Sequence, residues 1–272
     1  MPVDLRELLG DLAAETAQLR ILVTDLTEPG WRTPTPAVGW TIGDQISHLA
    51  FFDDAAITSA TDPERFGTEL AVPAQAGDLS TDDIAARYRD RTGAELLDWF
   101  VGSRDRLIET FGALDPADRL PWFGPSMSAA SSVTARIMET WAHGQGVADA
   151  LGVTREPTGR LRHIAHIGVW ALPFSFAVNG LTPPDKPVRV ELTPPGAEDS
   201  ASPAGGEAWT WGPADAIDRV SGPAVDFCLL VTQRRHRDDT AIQAHGQVAD
   251  QWLGIAQAFA GPPGTGRQRK RT

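Results

Sequence analysis

A carboxylate and an imidazole four residues apart, as in Glu139-Thr-Trp-Ala-His143, lie one turn apart on a helix, about 5–6 Å between Cβ atoms, and can chelate one ion. A third donor from another helix would complete the three-ligand set that catalytic zinc sites use, which leaves a coordination position for water or substrate. His48 is the candidate for that donor. Ile42, Ile46 and Leu49 form a core-facing pattern on its segment and carry neighbouring positions toward the interior. Spacing alone leaves a plain alternative open, because Glu and His at this interval also occur by chance on solvated helix faces. Against it, His48 and His143 both sit in apolar helical contexts, where an imidazole needs a partner, and donors on facing helices are a recurring way to build a site inside a bundle.

Other residues compete for the same chemistry. His163 and His166, at i and i+3, could supply a ligand or a supporting hydrogen bond, although His-x-x-His without a nearby carboxylate more often marks polar surface. Asp44 and Gln45, about one turn from His48, are candidates to orient its second ring nitrogen. Trp40, Trp122, Phe123 and Trp141 could wall a pocket or simply fill the core, and His236 and His245 read as surface groups. Cys228, the one cysteine, lies in the apolar run Phe227 to Val231 and reads as a small buried hydrophobe. A single cysteine excludes an internal disulfide and every Cys-based zinc pattern.

The elements that must position these residues are predominantly helical. Leu5, Leu8, Leu9, Leu12, Leu19, Leu22, Val23 and Leu26 repeat at helical spacing until Pro29-Gly30. Thr41 followed by Asp44 predicts a capped start for a second helix that runs to about Ala60. Residues 61–80 read as a loop excursion. A third helix is expected over 81–112, bent or divided at Gly93 or Gly102, then an aromatic loop over 115–132 and a fourth helix over 130–151 that stops at Gly152. A further helix is expected over 159–178. After Pro183-Pro184 the pattern changes: 188–192 and 207–211 alternate as strands around a Pro194–Gly206 turn or flexible loop, and 215–219, 224–233 and 248–259 suit helices. The expected fold is mainly α, a helical bundle over 1–180, followed by a small α+β domain over 181–262 and a basic flexible tail over 263–272.

The run Gly39-Trp-Thr-Ile-Gly-Asp-Gln-Ile-Ser-His48-Leu-Ala, preceded by Trp31, Pro34, Thr35 and Pro36, resembles the loop and second helix of the DinB/YfiT-like metal-binding bundles. Glu139 and His143 match the E-x-x-x-H helix of one branch of them, the mycothiol-dependent maleylpyruvate isomerases. The resemblance implies an up-down four-helix bundle with His48, Glu139 and His143 as metal ligands, and a sterol-carrier-like C-terminal domain. It implies a divalent metal, foremost Zn2+, with nickel, iron or manganese as alternatives, and mycothiol as a cosubstrate. By the same resemblance Arg234 or Arg235, at the end of the apolar segment from Asp226, corresponds to a catalytic arginine that reaches toward the active site. Lys186 and Lys270 are the only lysines, in keeping with the GC-rich actinobacterial genomes in which mycothiol users are found.

Three functions follow as expectations. The leading one is a metal-dependent thiol transferase or isomerase that acts on a small electrophile through a metal-bound thiolate. The others are a hydrolase using metal-activated water and a non-catalytic metal or ligand-binding module. A net charge of −12 argues against nucleic acid or an anionic membrane surface as partner. No signal-type N-terminus and no run of about 18 apolar residues is present, so a cytoplasmic monomer or homodimer is expected. A Gly-rich strand-to-helix fingerprint for a flavin or nicotinamide is absent.

Overall fold

The structure is a computed structural model, and it describes residues 4–77, 80–196 and 207–269. The chain forms two compact units, Met1–Arg155 and Glu156–Thr272. The second begins well before the expected 181, because the helical segment after 156 packs within it rather than extending the first.

Four long helices make the first unit: α1 (Leu5–Val23), α3 (Ile42–Thr61), α7 (Gly93–Gly112) and α8 (Ala129–Leu151). Each of α1 and α3 packs against both α7 and α8. Their starts are set by side chains that take up otherwise unmatched backbone N–H groups, Asp4 for α1 and Ser128 for α8, with reciprocal capping boxes Thr41/Asp44 and Thr92/Glu95 for α3 and α7. Helix α8 stops at Gly152, whose φ of +68° is left-handed. Between the long helices lie α2 (Glu28–Trp31), α4 (Pro63–Phe66), a π turn over Gly67–Ala71, α5 (Val72–Ala76), α6 (Thr81–Ala86) and a two-stranded ribbon of β1 (Arg119–Leu120) and β2 (Met127–Ser128).

Two expectations are corrected here. The stretch 61–80 is mostly helical rather than a loop: Pro63 and Pro73 each stand in the first turn of a short helix, where proline is favoured. The helix expected over 81–112 is two, divided before Gly93, one of the two glycines expected to bend or divide it, and not at Gly102. Gly93 is required there because a Cβ would fall about 2.1 Å from the Trp31 indole, so the residue that starts α7 also seats a core aromatic.

The apolar interior of the bundle is split in two. Leu5, Leu8, Leu9, Leu12, Leu107, Phe111, Val133 and Ile137 form one cluster, and Leu19, Val23, Ile42, Ile46, Leu49, Leu96, Phe100 and Val147 form the other. On each of the four helices the residues between these clusters include buried polar groups, among them Thr16, Asp53, Arg104 and Thr140. A polar layer therefore crosses the middle of the bundle, and the candidate site belongs to it.

The second unit contains α9 (Leu161–Trp170), α10 (Leu172–Val178), β3 (Val188–Thr193), β4 (Trp209–Trp211), β5 (Asp218–Pro223), α11 (Ala224–Val231), β6 (Gln243–His245) and α12 (Gln247–Leu253). Its sheet has the order β4-β3-β5-β6, with β3 and β5 parallel and both outer pairs antiparallel. The helix expected over 159–178 breaks at Ala171, one residue before α10 opens with Pro173 at its second position. The helix expected at 215–219 is absent. Asp218 and Val220 are buried while Arg219 and Ser221 are half-buried, which is the two-residue period of strand β5. The helix expected over 248–259 ends at Leu253, and Ala258 N–H instead donates to the Val231 carbonyl at 2.8 Å. The expected basic tail is held as far as it is described: Gly264 N–H donates to Gln257 Oε1 at 3.0 Å, and Arg269 lies 3.5 Å from Asp238. Lys270 to Thr272, and most of the Pro194–Gly206 loop, lie outside the described residues.

Candidate metal centre

Helices α3 and α8 bring His48, Glu139 and His143 together, and their ligand atoms all lie within 4.8 Å of one another. Glu139 Oε2 is 3.2 Å from His143 Nε2 and 4.0 Å from His48 Nε2. The two imidazole rings are 4.3 Å apart, centroid to centroid. Donors around one tetrahedral ion at about 2.0–2.2 Å stand about 3.4 Å from each other, so small side-chain rotations close the set. Two imidazoles and one carboxylate also have the hardness that suits zinc and its neighbours. Among the described residues, this is the one group of three such side chains with converging donors.

The arrangement is built from behind. His143 Nδ1 donates to Gln45 Oε1 at 2.5 Å, the Gln45 amide nitrogen donates to Thr35 Oγ1 at 2.9 Å, and the Thr35 hydroxyl donates to the Trp40 carbonyl at 3.0 Å. This chain sets the protonated nitrogen of His143 and turns Nε2 toward Glu139. Gln45 therefore supports His143 and not His48, as the sequence reading had it. Asp44 is likewise elsewhere: its Oδ2 accepts from the Thr41 N–H and hydroxyl, and its Oδ1 accepts from Arg89.

Burial pushes the Glu139 carboxyl up, but the hydrogen bond and charge of His143, with the charges of Arg136 and His48, more than offset this and hold it at about 2. The carboxylate is ionised near neutrality and ready as a ligand. Its side chain retains 19% exposure, so the set is reached from solvent. Trp40 lies over both imidazoles at 5.3 and 6.0 Å, and Phe52, one turn from His48, packs on that ring at 4.6 Å. Beyond Phe52 come Trp122 and Phe123, the latter at 5.5 Å, with Phe66 stacked on Trp122. Trp40 and Phe52 thus lie against the imidazoles, Trp122 and Phe123 pack behind Phe52, and Trp141 packs under Arg155.

Next to the triad, Asp53 receives both Nε and Nη2 of Arg104, at 2.8 and 3.2 Å, and Arg104 also donates to Thr16 and Thr140. Burial pushes the Asp53 carboxyl up against the opposing pull of Arg104 and Arg136. Asp53, Arg104, Arg136 and Phe52 are not among the residues expected from sequence to serve the site. Arg136 carried a visible signal, being a charged residue two turns before His143 on the same stripe of an otherwise small and apolar helix.

The remaining candidates belong to the second unit. His166 Nδ1 accepts from Trp211 Nε1 at 3.4 Å, and burial, followed by the charges of His163 and Arg162, pushes its pKa down. Arg234 and Arg235 follow α11 and donate to the Thr232 and Arg234 carbonyls. Arg235 also lines a cavity of about 320 Å³ with His236, Arg237 and Arg267. None of the triad residues belongs to that cavity. Cys228 is fully buried and its thiol is pushed far up by burial, which removes it as a nucleophile.

Comparison with known proteins bears on this arrangement. Residues 12–148, which include all three converging side chains, match the family model described as mycothiol maleylpyruvate isomerase N-terminal domain, and residues 184–245 match one described as wyosine base formation. Two uncharacterized proteins from two strains of Mycobacterium tuberculosis are each 51% identical to this chain over 261 residues, 95% of it and 97% of theirs. The crystal structure of a mycothiol-dependent maleylpyruvate isomerase superposes with a TM-score of 0.58 at 15% identity, covering 89% of this chain and 93% of that one. A histidine-to-alanine mutant of that enzyme gives the same TM-score at 14% identity. These superpositions establish the mainly helical fold. No described helix is long and apolar enough to cross a membrane.

Proposed function

Because this chain belongs to the family of the mycothiol maleylpyruvate isomerase N-terminal domain, we propose that it is a metal-dependent thiol transferase or isomerase acting on a small electrophile, with mycothiol or a related thiol as cosubstrate. The observation that carries the reading is the convergence of His48, Glu139 and His143 from two separate helices. The same residues would hold a divalent ion, zinc foremost. When bound, such an ion is a Lewis acid that lowers the pKa of a thiol and supplies a nucleophile at neutral pH.

The chain's own residues do the rest. Gln45 holds the His143 ring in one tautomer, so that its Nε2 is a lone-pair donor. With an ion bound, both imidazoles would coordinate as neutral rings beside the Glu139 carboxylate, so a divalent set of this kind would keep net positive charge and attract an anionic guest. Trp40 and Phe52 lie against the imidazoles and give the site an apolar wall. Arg234 and Arg235 remain the candidates in the second unit for a catalytic arginine, on the strength of the family resemblance.

Elemental analysis of purified protein, followed by calorimetric titration of zinc-loaded protein with mycothiol, tests the reading. Stoichiometric metal and saturable thiol binding, both lost in His48→Ala, support it. Metal that is bound without affinity for mycothiol or any other cellular thiol sinks the thiol chemistry, and absence of metal binding sinks the whole proposal.

A further inference from the structure

The second unit contains a cavity of about 320 Å³ to which no triad residue contributes. Its walls come from the end of α11 and the turn after it, from the end of α12, and from the strap that follows α12 as far as Arg267. Leu230, Leu253 and Ile255 give it an apolar side. The rest is basic. Arg235, His236, Arg237 and Arg267 line it against one carboxylate among the described residues, Asp238. Two of these groups are already engaged: Arg237 donates to Asp250 at 2.7 Å, and Asp238 lies 3.5 Å from Arg269, which brings a further positive charge to the region. In a chain whose net charge is −12, such a local reversal of sign draws anions to one place.

The walls are fixed before any ligand arrives. The strap has neither helix nor strand, and Gln257, only 1% exposed, holds it from inside. Gln257 Oε1 accepts from the Gly264 N–H at 3.0 Å, and its amide nitrogen donates to the Phe259 and Pro262 carbonyls at 3.1 and 3.2 Å. Its own backbone N–H donates to Ser175 Oγ at 3.1 Å. On the α11 side the chain turns through Gln233, whose φ of +56° is left-handed, a conformation usually filled by glycine at a helix end. Arg234 N–H closes the turn on the Leu229 carbonyl at 2.7 Å, and the next three residues all line the cavity. His236 Nδ1 accepts from the Asp238 N–H at 3.1 Å, which leaves Nε2 as the N–H donor of the ring. A preformed wall of this kind lowers the ordering cost of binding.

We propose that this cavity binds a small phosphomonoester, with the phosphate answered by the guanidinium groups of Arg235 and Arg267 and the organic body against Leu230, Leu253 and Ile255. Guanidinium forks match phosphate geometry, and a phosphomonoester brings nearly two negative charges and three acceptor oxygens near neutrality. A monocarboxylate offers less charge and fewer oxygens to the same cluster. Volume sets the size: about 320 Å³ is at the lower end of ligand pockets, which suits a molecule such as a triose or pentose phosphate and not a dinucleotide. The site needs no metal and no triad residue, so it goes beyond the thiol reading.

Glycerol 3-phosphate, glycerol, succinate and inorganic phosphate are titrated by NMR into the chelator-stripped full chain, for wild type, Arg267→Ala and Arg235→Ala. Wild type binds glycerol 3-phosphate saturably, about tenfold or more tighter than the other three, with the largest amide shifts at Gly254, Gly264 and Gly266. Each variant weakens that binding about tenfold or more, and Arg235→Ala decides the matter if Arg267→Ala does not fold. No saturable binding, equal affinity for succinate or inorganic phosphate, shifts confined to the first unit, or unchanged affinity in both variants would each overturn the assignment. Neither metal nor thiol enters the assay, so failure here is separate from failure of the thiol reading.

Discussion

The polar layer of the bundle holds two neighbouring clusters on the same helices, and they are finished differently. Around Asp53 every strong interaction is answered inside the protein: Arg104 spans the carboxylate, and Thr16 and Thr140 take its remaining N–H groups. Around Glu139 three donor atoms face a common point, one wall is aromatic and half-open, and Arg136 Nη1 lacks a hydrogen-bond acceptor. A saturated buried network holds helices in register, while an unsaturated one beside solvent is poised for a ligand. The same residue types serve both ends, and only the count of partners distinguishes them.

That contrast can be broken or sharpened by experiment. The largest effect is expected for His48→Ala, which should abolish stoichiometric metal binding while the metal-free variant unfolds in urea within about 1 kcal/mol of wild type; retained metal would dissolve the distinction. Asp53→Ala should show the reverse signature. Removing one side of a closed buried pair leaves Arg104 uncompensated and should cost about 3–5 kcal/mol in urea denaturation, so a variant of unchanged stability would mean the cluster is not closed.

A smaller change is expected from Gln45→Leu, because the amide only orients His143. Competition with a chromophoric chelator should report a metal affinity lower by about 10–100-fold, with stoichiometry retained. An affinity equal to wild type would show that the hydrogen bond to His143 does no positioning. The smallest effect belongs to Cys228→Ala. With the thiol buried and held far from ionisation, metal and mycothiol affinity should stay within about twofold of wild type, and a marked loss would bring a protein thiol back into the chemistry.

Much of this was legible in the residues themselves. The Glu139/His143 spacing, the Thr41 cap and the apolar context of His48 placed the candidate ligands on two helices, because helical periodicity is local and the ligand chemistry of His and Glu is intrinsic. Other signals were too short or too weak to read. Residues 215–219 suit a helix in a five-residue window, and only pairing with β3 and β6 makes Asp218–Pro223 a central strand. The stretch after Asp62 resembles a loop in sequence because Pro63, Gly67, Pro73 and Gly77 interrupt helical periodicity, although both prolines fit the first turn of a short helix.

The sequence by itself carried the long helices α1, α3 and α8, the Thr41 cap and the Gly152 stop, the three candidate donors, and the absence of any cysteine chemistry beyond Cys228. Tertiary structure alone decided that Gln45 serves His143, that Arg104 spans both oxygens of Asp53, and that Arg136 lies buried beside Phe52. The reason is physical. Propensity and periodicity act over a few residues, whereas the matching of buried donors to acceptors depends on side chains as far apart as Thr16 and Arg104, which meet only when the bundle closes.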